Sequence, residues 1–350
     1  MNGMNFHAYQ LTEFNLVSPI LLERLGLIKI YRSDDGLLIL TEDFTYEAIE
    51  PEKPFPATHA RTDSVLGFVL DIGIQRKKML TSGHGYYFGQ ELAPAQSTRG
   101  ISQKDFDPEL FERTVNAINA GYQSPDKQKE LFSIRIQSLL DAYNSARLLL
   151  PNFPSDSYLG LMRIIDALSS SSPGEGALEF ALFAAIVSPQ INEEIYPKVV
   201  GHKERIDVAL KLFDELHARA QASKRKRSTA SQMQTLPDSG RFVFSCFFSA
   251  YQYRNKFVHA GFPFPDGIKM AYGLGENRGT EFFQPSLGTA LLKIRRPTGL
   301  QHGDLIDIHE VVGKEGKEFK DRYFQLIPTW YFVKLITRAA LQKGVASLGP

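Results

Sequence analysis

The feature that most constrains the fold of this chain is one apolar run, from Phe242 to Tyr253. It is twelve residues long and interrupted by serines, whereas a membrane-spanning helix needs about 20 apolar residues. Such a run can leave water only by packing inside protein. Gly261 and Pro263 follow where a helix over this run would end, and both favour a helix stop. The run therefore predicts a central, buried helix that continues to roughly His259.

Apolar residues at helical spacing predict further helices around this segment. One apolar stripe is expected on a helix over residues 132–146, and Ser155 can cap a second helix after Pro154. The other predicted helices cover residues 177–187, 206–216 and 330–341. Five helices with short connections predict a bundle, to which the last helix returns. Residues 223–240, which contain the basic run 224–227, are predicted to form a polar loop.

The first third of the chain carries strand and turn signals instead. Residues 27–32 and 37–40 flank a Ser-Asp-Asp-Gly turn, which predicts a hairpin, and residues 64–74 and 78–88 are predicted strands. Gly121, Pro125 and a charged run suggest a boundary near 122–130. We therefore predict an α+β protein: a mixed α/β domain over 1–124, then a mainly α-helical bundle over 125–346 with a small β-hairpin inserted at about 286–315.

Composition narrows the class of protein further. Forty Lys and Arg against 39 Asp and Glu give a net charge of +1, which excludes a strongly cationic protein that coats nucleic acid. The single cysteine, Cys246, excludes a disulfide framework and a cysteine-based zinc site. The first residues form neither a basic nor an apolar signal region, so we expect a cytoplasmic protein without a membrane segment.

Three polar residues break the apolar character where the central helix is predicted to end: Arg254, Asn255 and His259. Asn255 and His259 are four residues apart and share a helix face, so the amide can orient the imidazole. Arg254 lies about 140° around a regular helix from His259, so the two side chains need not meet within one chain. They can converge if the last turn is distorted, or across the two-fold axis of a dimer.

With the helices around it, this segment resembles the HEPN family of ribonucleases, in particular its ApeA-like branch. The family motif is Arg, a polar residue, a gap and His, which Arg254, Asn255 and His259 match, and a small-residue stop follows at Ala260 and Gly261. Ile164-Ile-Asp-Ala-Leu168 is similar to an upstream family pattern that often has Glu in place of Asp166. The helix after Pro328 is similar to the closing helix of such domains. The resemblance covers residues 125–345.

The resemblance implies a metal-independent endoribonuclease that leaves 2′,3′-cyclic phosphate and 5′-hydroxyl ends, often a defence or toxin effector. His259 would be the general acid or base, Arg254 would clamp the phosphate, and Asn255 would orient the histidine or hold the ribose. A homodimer would form a composite active site, with no cofactor and no metal. The N-terminal domain would sense a trigger or bind a regulatory partner.

The RNA-binding candidates are Lys256, beside the motif, and the basic run of Lys224, Arg225, Lys226 and Arg227. A solvated loop is the other interpretation of the basic run, and Asp166 either lies near the site or pairs with an arginine. His302 begins a metal-capable segment that also fits a half-exposed strand.

Two alternatives to the nuclease hypothesis stay open. The bundle can be a non-catalytic dimerisation module that binds RNA, a nucleotide or a protein. Activity can also lie in the N-terminal domain, although no motif there indicates a reaction.

Overall fold

A computed structural model describes residues 4–11, 28–33, 36–45, 62–71, 73–81, 107–149, 153–169, 176–199, 203–260 and 326–349. The chain divides into two compact units. The first comprises Met1–Leu150 with Gly344–Pro350, and the second comprises Pro151–Lys343.

The first unit contains a four-stranded antiparallel sheet made of β1 (Met4–Leu11), β2 (Ile28–Ser33), β3 (Gly36–Thr45) and β4 (Ile74–Thr81). The strand order is β2-β3-β1-β4, so β1 lies between β3 and β4. The predicted hairpin is confirmed, because β2 and β3 pair in antiparallel register with Ser33 opposite Gly36. The segment predicted as a strand over 78–88 is described only as far as Thr81, in β4.

Three helices complete the described part of this unit: α1 (Thr62–Leu70), α2 (Pro108–Tyr122) and α3 (Lys127–Leu149). The prediction of a strand over residues 64–74 is wrong, since most of that segment is helix α1. Val65, Leu66, Phe68 and Val69 are all buried, so their β-branched and aromatic composition reflects a helix enclosed on several sides. Phe68 meets Tyr143 of α3 edge to face, with ring centroids 5.9 Å apart.

The residues from which the domain boundary was predicted lie at the end of α2, in the turn that follows it and at the start of α3. The two helices pack closely there: the Ser133 hydroxyl donates to the Ile118 carbonyl at 2.8 Å, and a Cβ placed on Gly121 would lie 2.6 Å from the Ser133 Cβ. Gly121 is therefore needed for close helix approach rather than for a flexible linker. The contacts group α3 with the first unit, whereas the sequence assigned it to the bundle. The limits of independently folding domains stay a prediction.

The described part of the second unit is a set of packed helices. These are α4 (Pro154–Ser169), α5 (Ala177–Val187), α6 (Pro189–Val199), α7 (Lys203–Ala222), α8 (Arg227–Gln234), α9 (Asp238–Ala260) and α10 (Trp330–Ala346), the last belonging to this unit as far as Lys343. The predicted bounds of α5 are confirmed, and the central helix α9 packs against α5, α6 and α7.

The last helix returns to the bundle, as predicted. Trp330 Nε1 donates to the Ser157 hydroxyl at 2.8 Å, and the Thr337 hydroxyl lies 3.4 Å from the Leu161 carbonyl, so α10 packs along α4. Phe332 also meets Phe247 of α9 edge to face at 5.4 Å.

The predicted α+β fold class is wrong for the residues whose side-chain burial the structure describes, which are those of the helices and their connections. Those residues are helical except for caps and short connections, and none lies in a β-strand. The mixed α/β domain over 1–124 is not found as predicted, because a predicted strand is helix and the helices of that unit run on to Leu149. The predicted β-hairpin at 286–315 lies outside the described residues.

Candidate functional site

The candidate site lies on α9, whose first half anchors it in the core. Residues 242–250 are all buried, which fits the apolar run of the sequence. Aromatic contacts fix the helix on several sides, including Phe247 against Phe180 of α5 and Phe244 against Phe213 of α7. A helix held in this way presents its last turns in a defined position.

Burial decreases towards the end of α9, where residues 251–255 are half-buried. Arg254 and Asn255 belong to this part, and the helix continues to Ala260, so all the predicted motif residues lie on one helix. The side chains of Lys256 and His259 lie outside the described part of the chain.

The structure pairs Arg254 with a carboxylate of another helix. Arg254 Nη2 lies 3.4 Å from Asp166 Oδ2 of α4, and the two side chains are 21% and 25% exposed. Both interpretations of Asp166 therefore hold together, since it lies beside the predicted site and pairs with an arginine. The sequence separation is large, and only tertiary packing brings the two residues into contact.

This ion pair lies in a partly desolvated environment. Burial raises the pKa of the Asp166 carboxyl, and the positive charge of Arg254 opposes that rise without cancelling it. The charge of Arg254 therefore compensates only part of the cost of burying the Asp166 carboxylate.

Towards the described residues, the Arg254 guanidinium uses few of its N–H donors. Its separation from Asp166 exceeds the roughly 2.7–2.9 Å of a strong charge-assisted hydrogen bond. No hydrogen bond joins Arg254 to another residue of the described ranges, although a guanidinium carries five N–H donors. The geometry suits a cation that can accept an oxyanion.

The Arg254 guanidinium packs on an aromatic ring, which itself packs on a second one. The Arg254 Cζ lies 5.2 Å from the centre of the Tyr251 ring, a cation–π distance. The Tyr251 ring centroid is in turn 4.9 Å from that of Phe180 on α5. Sequence analysis missed Tyr251, although its position three residues before Arg254 places both on the same helix face.

The structure corrects the prediction for residues 223–240, which do not form a polar loop. A 3-10 turn covers Lys224–Lys226, α8 covers Arg227–Gln234, and α9 begins at Asp238. Ala230 and Met233 are buried, so α8 is held by apolar contacts that the polar composition concealed.

One residue of the basic run 224–227, which was predicted to bind RNA, forms an ion pair within the protein. Lys226 Nζ bonds Glu179 Oε1 of α5 at 2.5 Å, and the Thr229 hydroxyl donates to the same oxygen at 3.1 Å. Burial alone would raise the pKa of Glu179, but these bonds and the charge of Lys226 outweigh it and lower the pKa. Lys224, Arg225 and Arg227 are exposed, and no recorded contact joins them to Arg254.

Sequence analysis missed Glu179, for which a signal existed. Its position three residues after Gly176 is that of a helix-start glutamate, and Glu179 Oε2 accepts the Gly176 N–H at 3.1 Å. Nothing in the sequence indicated that its other oxygen would bind Lys226.

The described residues hold no group of three or more His, Cys, Asp or Glu placed to bind a metal ion, and the segment that begins at His302 lies outside them. None of their helices combines the length and apolar character required to cross a membrane.

The chain matches no protein-family model, no curated protein and no solved structure. Its function is therefore inferred from its own residues.

Proposed function

We propose that this protein is a cytoplasmic, homodimeric endoribonuclease that cleaves RNA without a metal ion or cofactor. The observation that carries the proposal is the state of the Arg254 guanidinium. It lies on the same helix as His259, rests on Tyr251, and contacts Asp166 at 3.4 Å while keeping N–H donors for a further partner. A partly desolvated arginine of this kind is suited to bind phosphate oxygens.

The reaction has a simple balance. The ribose 2′-oxygen attacks the adjacent phosphorus, the bond from phosphorus to the 5′-oxygen breaks, and a 2′,3′-cyclic phosphate forms. One proton leaves the 2′-hydroxyl and one is added to the departing 5′-oxygen, so the chemistry needs proton transfer and stabilisation of negative charge.

Each motif residue has a role in that reaction. His259 is the general acid or base, since an imidazole exchanges protons near neutral pH. Arg254 stabilises the charge that develops on the phosphate oxygens. Asn255 orients the histidine or holds the ribose, and Lys256 contacts a neighbouring phosphate.

A second copy of the chain completes the site. Arg254 and His259 point about 140° apart on a regular helix, so two-fold symmetry offers a way to bring an arginine and a histidine to one phosphate. The N-terminal unit then restrains the nuclease or senses a trigger, as expected for a defence or toxin effector.

The direct test is RNA cleavage by the full-length protein in EDTA, with the product ends identified. We expect 2′,3′-cyclic phosphate and 5′-hydroxyl ends, and a loss of about 100-fold or more in rate for both Arg254→Ala and His259→Ala. Arg163→Ala is the matched control, because Arg163 is exposed on α4, one turn from Asp166. Cleavage that persists in the His259→Ala variant would contradict the proposal.

A mixing experiment tests the composite site. If each site takes Arg254 from one chain and His259 from the other, mixed dimers of the two inactive variants contain one intact site. About a quarter of the wild-type activity should then return after the variants are mixed and allowed to exchange subunits. No recovery in dimers shown to have exchanged would contradict the shared site.

One observation favours the second candidate function, a non-catalytic dimerisation module that binds RNA, a nucleotide or a protein. The contacts of Arg254 with Asp166 and Tyr251 give this arginine a structural role of its own. That function predicts RNA or partner binding with no product, and binding that survives His259→Ala.

A further inference from the structure

A second charged surface lies outside the Arg254 site. We call it the basic hairpin: residues 216–237, which comprise the end of α7, the 3-10 turn and α8. These residues include five Lys or Arg and no Asp or Glu. In a chain with a net charge of +1, so many cations in one segment form a local excess of positive charge.

The basic hairpin is a folded element with a defined inner face. Leu216, Ala230, Met233 and Leu236 are buried. Its outer face carries cations, hydroxyls and amides, and it exposes no large apolar side chain among the described residues. A membrane-surface helix would instead present aromatic or aliphatic side chains for insertion.

The cations of the hairpin fall into two groups. Lys226 is turned towards α5, where it bonds Glu179 at 2.5 Å and fixes the hairpin to the bundle. Arg219, Lys224, Arg225 and Arg227 are exposed, and no ion pair with a residue of the described ranges is recorded for them. Arg227 is the first residue of α8, and the Lys226 side chain makes no cap bond to the N–H groups of that first turn.

We infer that the basic hairpin binds the phosphate backbone of single-stranded RNA, with Lys224, Arg225 and Arg227 as the contacts and Lys226 as the anchor. Unpaired cations flanked by hydroxyl and amide donors complement a sugar–phosphate chain. The inference rests on the proposed function for the choice of RNA over DNA. None of these contacts is a residue to which the proposed cleavage reaction assigns a role.

Binding of a 2′-O-methyl RNA oligonucleotide to the full-length protein tests the inference, because RNA without a 2′-hydroxyl cannot be cleaved by the proposed reaction. Fluorescence anisotropy at several salt concentrations gives the affinity and its salt dependence. A variant with Lys224, Arg225 and Arg227 changed to Gln should lose about tenfold or more in affinity at low salt. The slope of log affinity against log salt should fall by about 2, since each contact with a single strand contributes about 0.7.

Matched variants identify the source of the effect. A control with Lys129, Arg135 and Lys203 changed to Gln removes the same charge from exposed positions and should bind as wild type does. Equal thermal stability of both triple variants shows that the fold is kept. An unchanged salt slope in the hairpin variant, or preference for anionic vesicles or an acidic peptide, would overturn the inference.

The two proposals can fail separately. If the protein does not cleave RNA but the hairpin variant still loses RNA binding, the nuclease proposal fails and the binding surface stands. If the protein cleaves RNA in EDTA but the hairpin variant has an unchanged salt slope of RNA binding, the nuclease proposal stands and the binding surface is contradicted. Stronger binding of single-stranded DNA than of RNA overturns the assignment to RNA.

Discussion

Two cation–carboxylate pairs of the second unit differ sharply in how they are held. Lys226 and Glu179 are 2.5 Å apart, and Glu179 also accepts bonds from Thr229 and from the Gly176 backbone. Arg254 Nη2 and Asp166 Oδ2 are 3.4 Å apart, which is longer than a strong charge-assisted hydrogen bond. The pKa of Glu179 is lowered and that of Asp166 is raised. The first pair is a structural link, whereas the second is a longer contact whose arginine we propose to bind phosphate.

The largest expected effect on stability comes from removing Phe180, whose ring packs against Tyr251 below the pair of Arg254 and Asp166. Phe180→Ala should destabilise the protein by about 3–5 kcal/mol, because Phe180 is 1% exposed and contacts both Tyr251 and Phe247. Urea unfolding measures the change. Ile186→Ala, at a 38% exposed position of the same helix, is the control and should cost less than about 1 kcal/mol. Equal losses at the two positions would refute the role of Phe180.

Charge-conserving substitutions separate the two pairs by function. Arg254→Lys should lower RNA cleavage by about 100-fold, because an ammonium cannot present the planar, bidentate donors of a guanidinium. Lys226→Arg should leave the cleavage rate within about twofold, since the anchor needs only a cation near Glu179. Cleavage assays at saturating RNA compare the two variants. Equal activity of Arg254→Lys and wild type would remove Arg254 from the phosphate contacts.

Neutralising each carboxylate compares the two pairs by stability. Glu179→Gln should cost about 2 kcal/mol, because it weakens several bonds to a charged, mostly buried acceptor. Asp166→Asn should change stability by less than about 0.5 kcal/mol, because the weakened contact with Arg254 is offset by relief of the burial of a charge. Denaturant unfolding at neutral pH gives both values. A larger loss for Asp166→Asn would reverse our ranking of the pairs.

The smallest expected effect is a pair of opposite pH dependences. The pKa of Glu179 is lowered on folding, so its contribution to stability is present above the ordinary value of 4.5 and is lost as the pH falls through the folded value. The pKa of Asp166 is raised, so its contribution is present below 3.8 and is lost as the pH rises through the folded value.

The free energy of unfolding, measured between pH 3 and 6 for each variant and for wild type, should show both pH dependences. Glu179→Gln should lose less stability than wild type on acidification, and Asp166→Asn should gain less. If both variants follow the wild-type curve, neither carboxylate has the shift that we assign to it.

The sequence predicted the helices of the second unit better than the rest. Residues 177–187 and 242–253 are apolar almost without interruption and stop signals follow them, so α5 and α9 were found with bounds close to those observed. Residues 64–74 and 223–240 were misassigned for opposite reasons. In α1, enclosed β-branched and aromatic residues resembled a strand, and in α8, two buried side chains among polar ones gave too weak a period.

The candidate site shows the same division. Helical spacing indicated that Arg254, Asn255 and His259 share one helix, and the basic run was visible as charge. Neither pattern contains the partner of a long-range contact, so the pairing of Arg254 with Asp166 and the anchoring of Lys226 on Glu179 emerged only from the packed helices.

The sequence alone determined that the apolar run from residue 242 forms a helix buried over most of its length and that a polar motif follows it, because both depend on local composition and helical repeat. Only the tertiary structure decided which cations are engaged. Asp166 and Glu179 lie far from Arg254 and Lys226 along the chain, and helix packing sets the distances of 3.4 Å and 2.5 Å. Because electrostatic attraction and desolvation both depend on those distances and on burial, no local pattern could separate the tightly bonded Lys226 from the more weakly paired Arg254.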